Sequence, residues 1–231
     1  MAPKVLVVLT SYSFIESANA PTGWYLPEFA HPYDVLAEKG IEIITASPKG
    51  GVAPLDPGSV ERFKEDPSSV NFKATKSALW ENTAPISSFL GKSSEYAALF
   101  YPGGHGPMFD LVSDKDSIAL IAEFVSAGKP VAAVCHGPIV FANVKRADGK
   151  GLLEGKEATG FTNEEEELAA MTKHMPFLLE DKLREVGAVF RKAEKPYDAF
   201  VLVQDGGKLI TGQNPASAKG VGEEIVKAIG V

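Results

Sequence analysis

The sequence predicts an α/β fold: a single doubly wound, mostly parallel sheet with helices on both faces, plus a small insertion. Three observations carry that expectation. Apolar, β-branched runs alternate with helical stretches along most of the chain, which is the rhythm of strand–helix–strand units. The first of those runs, residues 4–9, is apolar at every position after Lys4, as a strand covered on both faces must be. The chain has 231 residues of which 45% are hydrophobic. A chain of that length can remove roughly 70–75% of its unfolded surface from water, so one sizeable core forms without staples. The whole chain, 1–231, is read as a single α/β domain with an insertion or cap at about 47–94.

The elements follow in order. After the first strand, residues 24–39 place apolar side chains at helical spacing and stop at Gly40, a residue suited to the left-handed cap. Residues 41–46 form the second strand, and residues 97–101 form a buried run ending at Pro102-Gly103-Gly104. Residues 116–127 read as a helix stopped by Gly128, residues 130–134 as the next strand, and residues 137–143 as a short helix. Residues 177–186 are helical, and Gly187 precedes a short strand at 188–190. Residues 200–203 and 208–211 flank Asp205-Gly206-Gly207, a hairpin signal. Residues 215–229 close the chain as a helix with Pro215 at its start. The stretch 47–94 breaks this rhythm, being rich in Pro, Ser, Asp and Lys around Trp80. Such an excursion is a functional lid or an insertion of its own, or else a surface loop with one small helix and no role.

Composition removes several function classes. Lys and Arg number 23 against 30 acidic residues, a formal charge of −7. That balance argues against a nucleic-acid binder, which needs a basic face to displace counterions from phosphates. One cysteine excludes an internal disulfide and a cysteine zinc cluster, and suits a reducing compartment. The apolar run near the N-terminus is too short for a signal-peptide core, and no apolar stretch reaches about 18 residues. The expectation is a cytoplasmic protein with no membrane partner, able to enter the nucleus by diffusion.

Ligands of an open parallel sheet bind beyond the carboxyl ends of its strands. At one such end stands Ala133-Val134-Cys135-His136-Gly137-Pro138. A strand of small residues ends there and Cys135 occupies the turn into the next helix, the logic of a nucleophile elbow. A thiol at a helix N-terminus is expected to have a lowered pKa. The alternative is a small buried hydrophobe, the commonest fate of a lone cysteine. At another strand end, Gly103-Gly104-His105-Gly106 is no phosphate cradle, but its glycines let backbone N–H groups approach a reacting oxygen. Glu28 lies in the first helix among Leu26, Pro27 and Phe29; it is either a solvated surface residue or a buried carboxyl of raised pKa. His31, His105 and His174 lack metal-ligand spacing, so no required metal and no cofactor are expected.

Together the Cys135 and Gly103–Gly106 motifs resemble the ThiJ/PfpI superfamily, whose flavodoxin-like fold is also that of class I glutamine amidotransferases. Three further stretches, Thr159-Gly160-Phe161-Thr162-Asn163-Glu164-Glu165-Glu166, Thr211-Gly212-Gln213-Asn214-Pro215 and Leu55-Asp56-Pro57-Gly58-Ser59, resemble its heat-shock chaperone branch. That branch includes the glutathione-independent glyoxalases (glyoxalase III, D-lactate dehydratase). The resemblance implies that Cys135 is the nucleophile, His136 its imidazole partner, Glu166 the acid that orients the histidine, and Glu28 a carboxyl against the thiol. It implies oxyanion or substrate-binding roles for Gly103, Gly104 and His105, with the N–H groups of Gly104 and His136 as donors. Only one residue of the acidic run 164–167 should face His136, and which one the run itself leaves open; the resemblance points to Glu166, with its neighbours read as solvated. Whether His136 or Glu28 is the principal base stays open.

The implied activity is conversion of methylglyoxal, a small 2-oxoaldehyde, to D-lactate through a cysteine hemithioacetal, with no cofactor. The rival readings are a stress-response holdase that binds unfolded client proteins and carries a redox-sensing cysteine, a protein deglycase, and a cysteine peptidase-like hydrolase using the same triad. The resemblance also implies a homodimer.

Overall fold

The strands assemble in an order that places the predicted site residues side by side. The computed structural model describes residues 2–231. Strand β1 (Lys4–Val8) lies inside the sheet, and its Val5, Leu6, Val7 and Val8 are wholly buried, as a run apolar on both faces requires. Around it run β2 (Glu42–Ser47), β3 (Ala84–Pro85), β4 (Ala98–Tyr101), β5 (Val131–Val134), β6 (Val201–Gln204) and β7 (Leu209–Gly212). They form a seven-stranded sheet in the order β6-β7-β5-β4-β1-β2-β3. Every pairing is parallel except β6 with β7, the hairpin closed by Asp205-Gly206-Gly207. Neighbouring strands β4 and β5 pair Tyr101 with Ala133, so the loops that follow them leave the same edge together.

Helices pack around the sheet. They are α1 (Leu26–Glu38), α2 (Pro57–Arg62), α3 (Pro67–Thr75), α4 (Ala78–Glu81), α5 (Lys115–Ser126), α6 (Asn163–Leu168), α7 (Leu179–Glu185) and α8 (Ala218–Ile229). Helices α1 and α8 lie against one another, while α5 packs on β4 and β5. Each of α2, α3 and α5 starts at an aspartate whose side chain accepts the backbone N–H three residues on: Asp56, Asp66 and Asp114. Among the described residues no helix is long and apolar enough to cross a membrane.

Three sequence expectations about individual elements shift. Helix α1 begins at Leu26 because Trp24 is held in an isolated bridge to Leu55, not in a helical turn. The short strand near residue 188 is Val189–Phe190, and it pairs with Glu157–Ala158 in a separate ribbon outside the main sheet. Residues 137–143 form a 3₁₀ turn, Gly137–Phe141, instead of an α-helix.

The insertion is neither a plain loop nor a detached lid. It contains three helices and edge strand β3, and its Phe72 and Trp80 are buried against Trp24 and Phe29. Ser59 in α2 accepts the Leu26 N–H (3.1 Å), which gives the first turn of α1 the cap that Tyr25 cannot supply. The insertion therefore fixes the helix start that carries Glu28.

Candidate active site

The chain reverses sharply after β5, and Cys135 sits at that reversal with φ of +60°, a conformation that costs a non-glycine residue strain. Its backbone is clamped on both sides: the Cys135 N–H donates to the Gly212 carbonyl (3.0 Å), and its carbonyl accepts from the Phe161 N–H (2.9 Å). The sulfur is thus aimed by β7 and by the segment leading into α6.

His136 follows, also buried, with Nδ1 at 3.3 Å from the Cys135 sulfur and Nε2 at 2.6 Å from Glu166 Oε2. Burial would push the Glu166 carboxyl up, but the attraction of His136 and the hydrogen bonds from His105 and His136 outweigh it and hold it well below the usual carboxylate range. An ionised carboxylate only accepts, so the His136 proton lies on Nε2 and Nδ1 presents its lone pair to the thiol. Burial also pushes the His136 pKa down, which keeps the ring neutral near pH 7. The second Glu166 oxygen accepts from His105 Nε2 at 2.9 Å, so one carboxylate orients two imidazoles.

Glu28 is fully buried. Its Oε2 accepts the Gly103 N–H (2.8 Å), whereas Oε1 finds no nitrogen or oxygen partner. The Cys135 thiol lies near enough to this carboxyl for each to shift the other's pKa. Burial raises the Glu28 pKa to about 8, against the pull of the thiol and the Gly103 N–H. At neutral pH the carboxyl is therefore mostly protonated, which gives the orphaned oxygen a proton to share with the sulfur.

The thiol itself departs from expectation. Its pKa is raised well above the ordinary value, first by burial and then by the charge and hydrogen bonding of Glu28; the Gly104 N–H pulls the other way. The five-residue 3₁₀ turn that replaces the expected helix has too little aligned backbone to reverse this. The resting group is a thiol whose proton must be removed as it reacts.

Two glycines make the close approach possible. A Cβ on Gly103 would stand 2.5 Å from the Val134 carbonyl, 2.7 Å from Glu28 Oε2 and 2.8 Å from the His136 nitrogen. Gly104 has φ of +87°, and a Cβ there would lie 2.3 Å from the Gly23 carbonyl. The backbone N–H groups of Gly104 and His136 donate to no oxygen or nitrogen of the described residues; that of Gly104 is turned toward the Cys135 sulfur, where an oxyanion formed on attack would meet it.

His105, His136 and Glu166 have ligand atoms within 4.8 Å of one another, a set able in principle to hold a metal ion. Each imidazole already gives its proton to Glu166, so a cation there would displace both hydrogen bonds. Sequence spacing did not show this cluster, because His105 and Glu166 come from different crossovers.

The acidic run divides differently from expectation. Glu164 and Glu167 are exposed, Glu166 reaches His136, and Glu165 is completely buried. Glu165 Oε1 accepts from the Tyr197 N–H, Gln213 Nε2 and Asn214 Nδ2, while Oε2 accepts the Thr162 N–H and closes a capping box. Far from solvated, it ties the start of its own helix to the segments that carry Tyr197 and Gln213-Asn214. The pair Thr162 and Glu165, three apart at a helix start, is the signal that could have located it.

The thiol opens into a cavity of about 320 Å3. The Phe161 ring lies tilted against His136 with ring centres 4.6 Å apart, and Tyr25, Phe63, Tyr197 and Arg62 extend the wall outward. None of these five was identified as a wall residue from the sequence: Phe161 stands in a quoted motif without a role of its own, and the other four come from three further segments that carry no motif.

Residues 22–228 match the model of the DJ-1/PfpI family. The chain is 31% identical over 237 residues to the glutathione-independent glyoxalase HSP31 of Saccharomyces cerevisiae, covering 99% of each. It is 31% identical over 234 residues to glyoxalase 3 of Candida albicans, covering 97% of this chain and 98% of the relative. The crystal structure of glyoxalase III from Candida albicans superposes with a TM-score of 0.83 at 29% identity, covering 98% of this chain and 97% of the other.

Proposed function

The chain belongs to the DJ-1/PfpI family, and from that premise we propose that it is a glutathione-independent glyoxalase converting methylglyoxal to D-lactate. One observation carries the reading: the Cys135 sulfur lies between a neutral imidazole and a buried carboxyl of pKa about 8. That arrangement supplies a nucleophile together with two proton carriers that operate near neutral pH. The relatives named as glutathione-independent glyoxalases, at 31% identity over nearly the whole chain, support the same activity.

In this mechanism the thiol passes its proton to His136 Nδ1 as the sulfur attacks the aldehyde carbon. The carbonyl electron pair moves onto oxygen, where the Gly104 and His136 N–H groups receive it. The imidazolium, steadied by Glu166, returns the proton to that oxygen and completes the hemithioacetal. Glu28, ionised in a fraction of molecules, takes the proton from C1 and gives an enediolate, whose C2 oxygen then takes the proton of the C1 hydroxyl. Returning the same proton to C2 produces a thioester of the hydroxy acid. Water then adds to the thioester, the carbon–sulfur bond breaks, and lactate leaves with the thiol restored. C1 is oxidised and C2 reduced within one molecule, so the balance needs one water and no external electron carrier. The protein thiol takes the place that a soluble thiol would otherwise fill, and a cytoplasmic location suits a reaction that depends on keeping it reduced.

The test is lactate formation from methylglyoxal in buffer free of glutathione and other thiols. The reading expects D-lactate at a rate unaffected by added glutathione. A protein that forms lactate only after glutathione is added, or forms none, overturns it.

A further inference from the structure

The cavity facing Cys135 is larger than a three-carbon aldehyde requires. Its volume of about 320 Å3 falls within the range of roughly 300–1,000 Å3 that buries drug-sized ligands. Tyr25, Phe63, Phe161 and Tyr197 stand in its wall, and a row of rings leads away from the sulfur. His136 and Phe161 have centres 4.6 Å apart, Phe161 and Tyr197 have centres 6.1 Å apart, and the Arg62 guanidinium lies 5.9 Å over the Tyr197 ring.

Arg62 ends this row. It is the one arginine or lysine among the described residues that line the cavity. It forms no salt bridge and no hydrogen bond with any described residue, although acidic residues outnumber basic ones 30 to 23. Burial raises the hydroxyl pKa of both Tyr25 and Tyr197. Arg62 opposes that rise in each while Cys135 adds to it, so both hydroxyls lie within electrostatic reach of the guanidinium and of the thiol. Tyr197 is also held at φ of +63° by its N–H bond to Glu165 (2.8 Å). A strained residue kept in place by a buried carboxylate marks a surface whose shape matters.

We propose that the site accepts a 2-oxoaldehyde bearing, in place of the methyl group, an aryl or alkyl arm that ends in a carboxylate, and that Arg62 binds this carboxylate. The inference rests on the glyoxalase reading and deepens it. The aldehyde end reacts at Cys135, the arm lies along Phe161 and Tyr197, and the anion meets the only unpaired cation of the wall. A guanidinium presents a planar fork of donors that matches a carboxylate. The chemistry is unchanged: the arm's ketoaldehyde plus one water gives the corresponding 2-hydroxy acid. Methylglyoxal turns over in such a site without reaching Arg62, so the arginine sets preference among substrates and is not needed for reaction.

The test compares kcat/KM for phenylglyoxal and for 4-carboxyphenylglyoxal, followed as mandelate and 4-carboxymandelate. Initial rates are taken ahead of the slower reaction of aryl glyoxals with surface arginines, and methylglyoxal is measured alongside. Wild type is expected to favour the carboxylated substrate by about tenfold, the size of one charge-assisted hydrogen bond. Arg62→Met should bring that ratio to about one, Arg62→Lys should keep part of it, and added salt should shrink it. A wild-type ratio of one or less, or a ratio unchanged in Arg62→Met, overturns the inference and leaves the glyoxalase reading standing. Failure to turn over any of the three aldehydes overturns both.

Discussion

Replacing Glu28 by Gln removes a proton that the fold holds out of register with solution, and the consequence is measurable as stability. A carboxyl whose native pKa is raised from 4.5 to about 8 is protonated in the folded chain over a range where the unfolded chain has lost its proton. Its stabilising contribution is complete below about pH 4.5 and is lost as the pH climbs through about 8. For a fully buried group the difference between pH 5.5 and pH 7.5 comes to about 2–3 kcal/mol. Glutamine keeps a carbonyl for the Gly103 N–H but has no proton to lose, so its own pH dependence disappears. The assay is urea unfolding of wild type and Glu28→Gln at both pH values. The difference between the two proteins cancels other groups with raised carboxyls, Asp56 and Asp110 among them. Glu28→Gln is expected to gain about 2–3 kcal/mol on wild type between pH 5.5 and 7.5. It should also turn over at least about a hundredfold more slowly, the lower end of a general acid–base contribution. Equal pH dependence in the two proteins would show that Glu28 ionises normally in the fold and refute its role as shared-proton partner of Cys135.

Three further outcomes follow from the same contacts. Glu165→Gln places an amide NH2 where either the Thr162 N–H or the three donors at Oε1 need an acceptor, and should lower unfolding stability by roughly 2–4 kcal/mol; Glu164→Gln and Glu167→Gln should leave the urea midpoint unchanged. Gly104→Ala forces a side chain into a left-handed backbone that alone costs about 1–2 kcal/mol. It also sets a methyl against the Gly23 carbonyl, so differential scanning calorimetry should show a lower Tm and assays a lower kcat. Glu166→Gln can turn its amide toward His136, which moves the ring proton to Nδ1 and takes the base away from the thiol. Lactate formation should fall about a hundredfold, less than on loss of Cys135, and iodoacetamide labelling of the thiol should slow with it.

The parallel core was legible because buried strands announce themselves: residues 5–9, 97–101 and 130–134 are apolar on both faces, and the last two end at the glycine loop and at the reactive turn. The elbow, the glycine loop and Glu166 were legible as a combination of short motifs. What stayed hidden depends on tertiary placement. The raised thiol pKa arises from the depth at which Glu28 and Cys135 share a pocket, which no local pattern encodes. Glu165 looks like a solvated member of an acidic run until Tyr197, Gln213 and Asn214 are seen to converge on it. The insertion lacked the periodicity of the other elements because its short helices bury isolated aromatics, Phe72 and Trp80, and spend their remaining surface on the pocket wall and on capping α1.

The central claim is that the Cys135 sulfur forms the bond on which turnover depends. The most direct measurement is D-lactate formation from methylglyoxal by wild type and Cys135→Ala, side by side, in thiol-free buffer, with the urea unfolding midpoint of each recorded as a control. Removing the sulfur leaves Glu28, His136 and Glu166 in place but gives the aldehyde nothing to join. Lactate production by Cys135→Ala should fall to the rate of buffer alone while the protein remains folded. A folded Cys135→Ala protein that makes lactate at a rate near wild type would contradict the account.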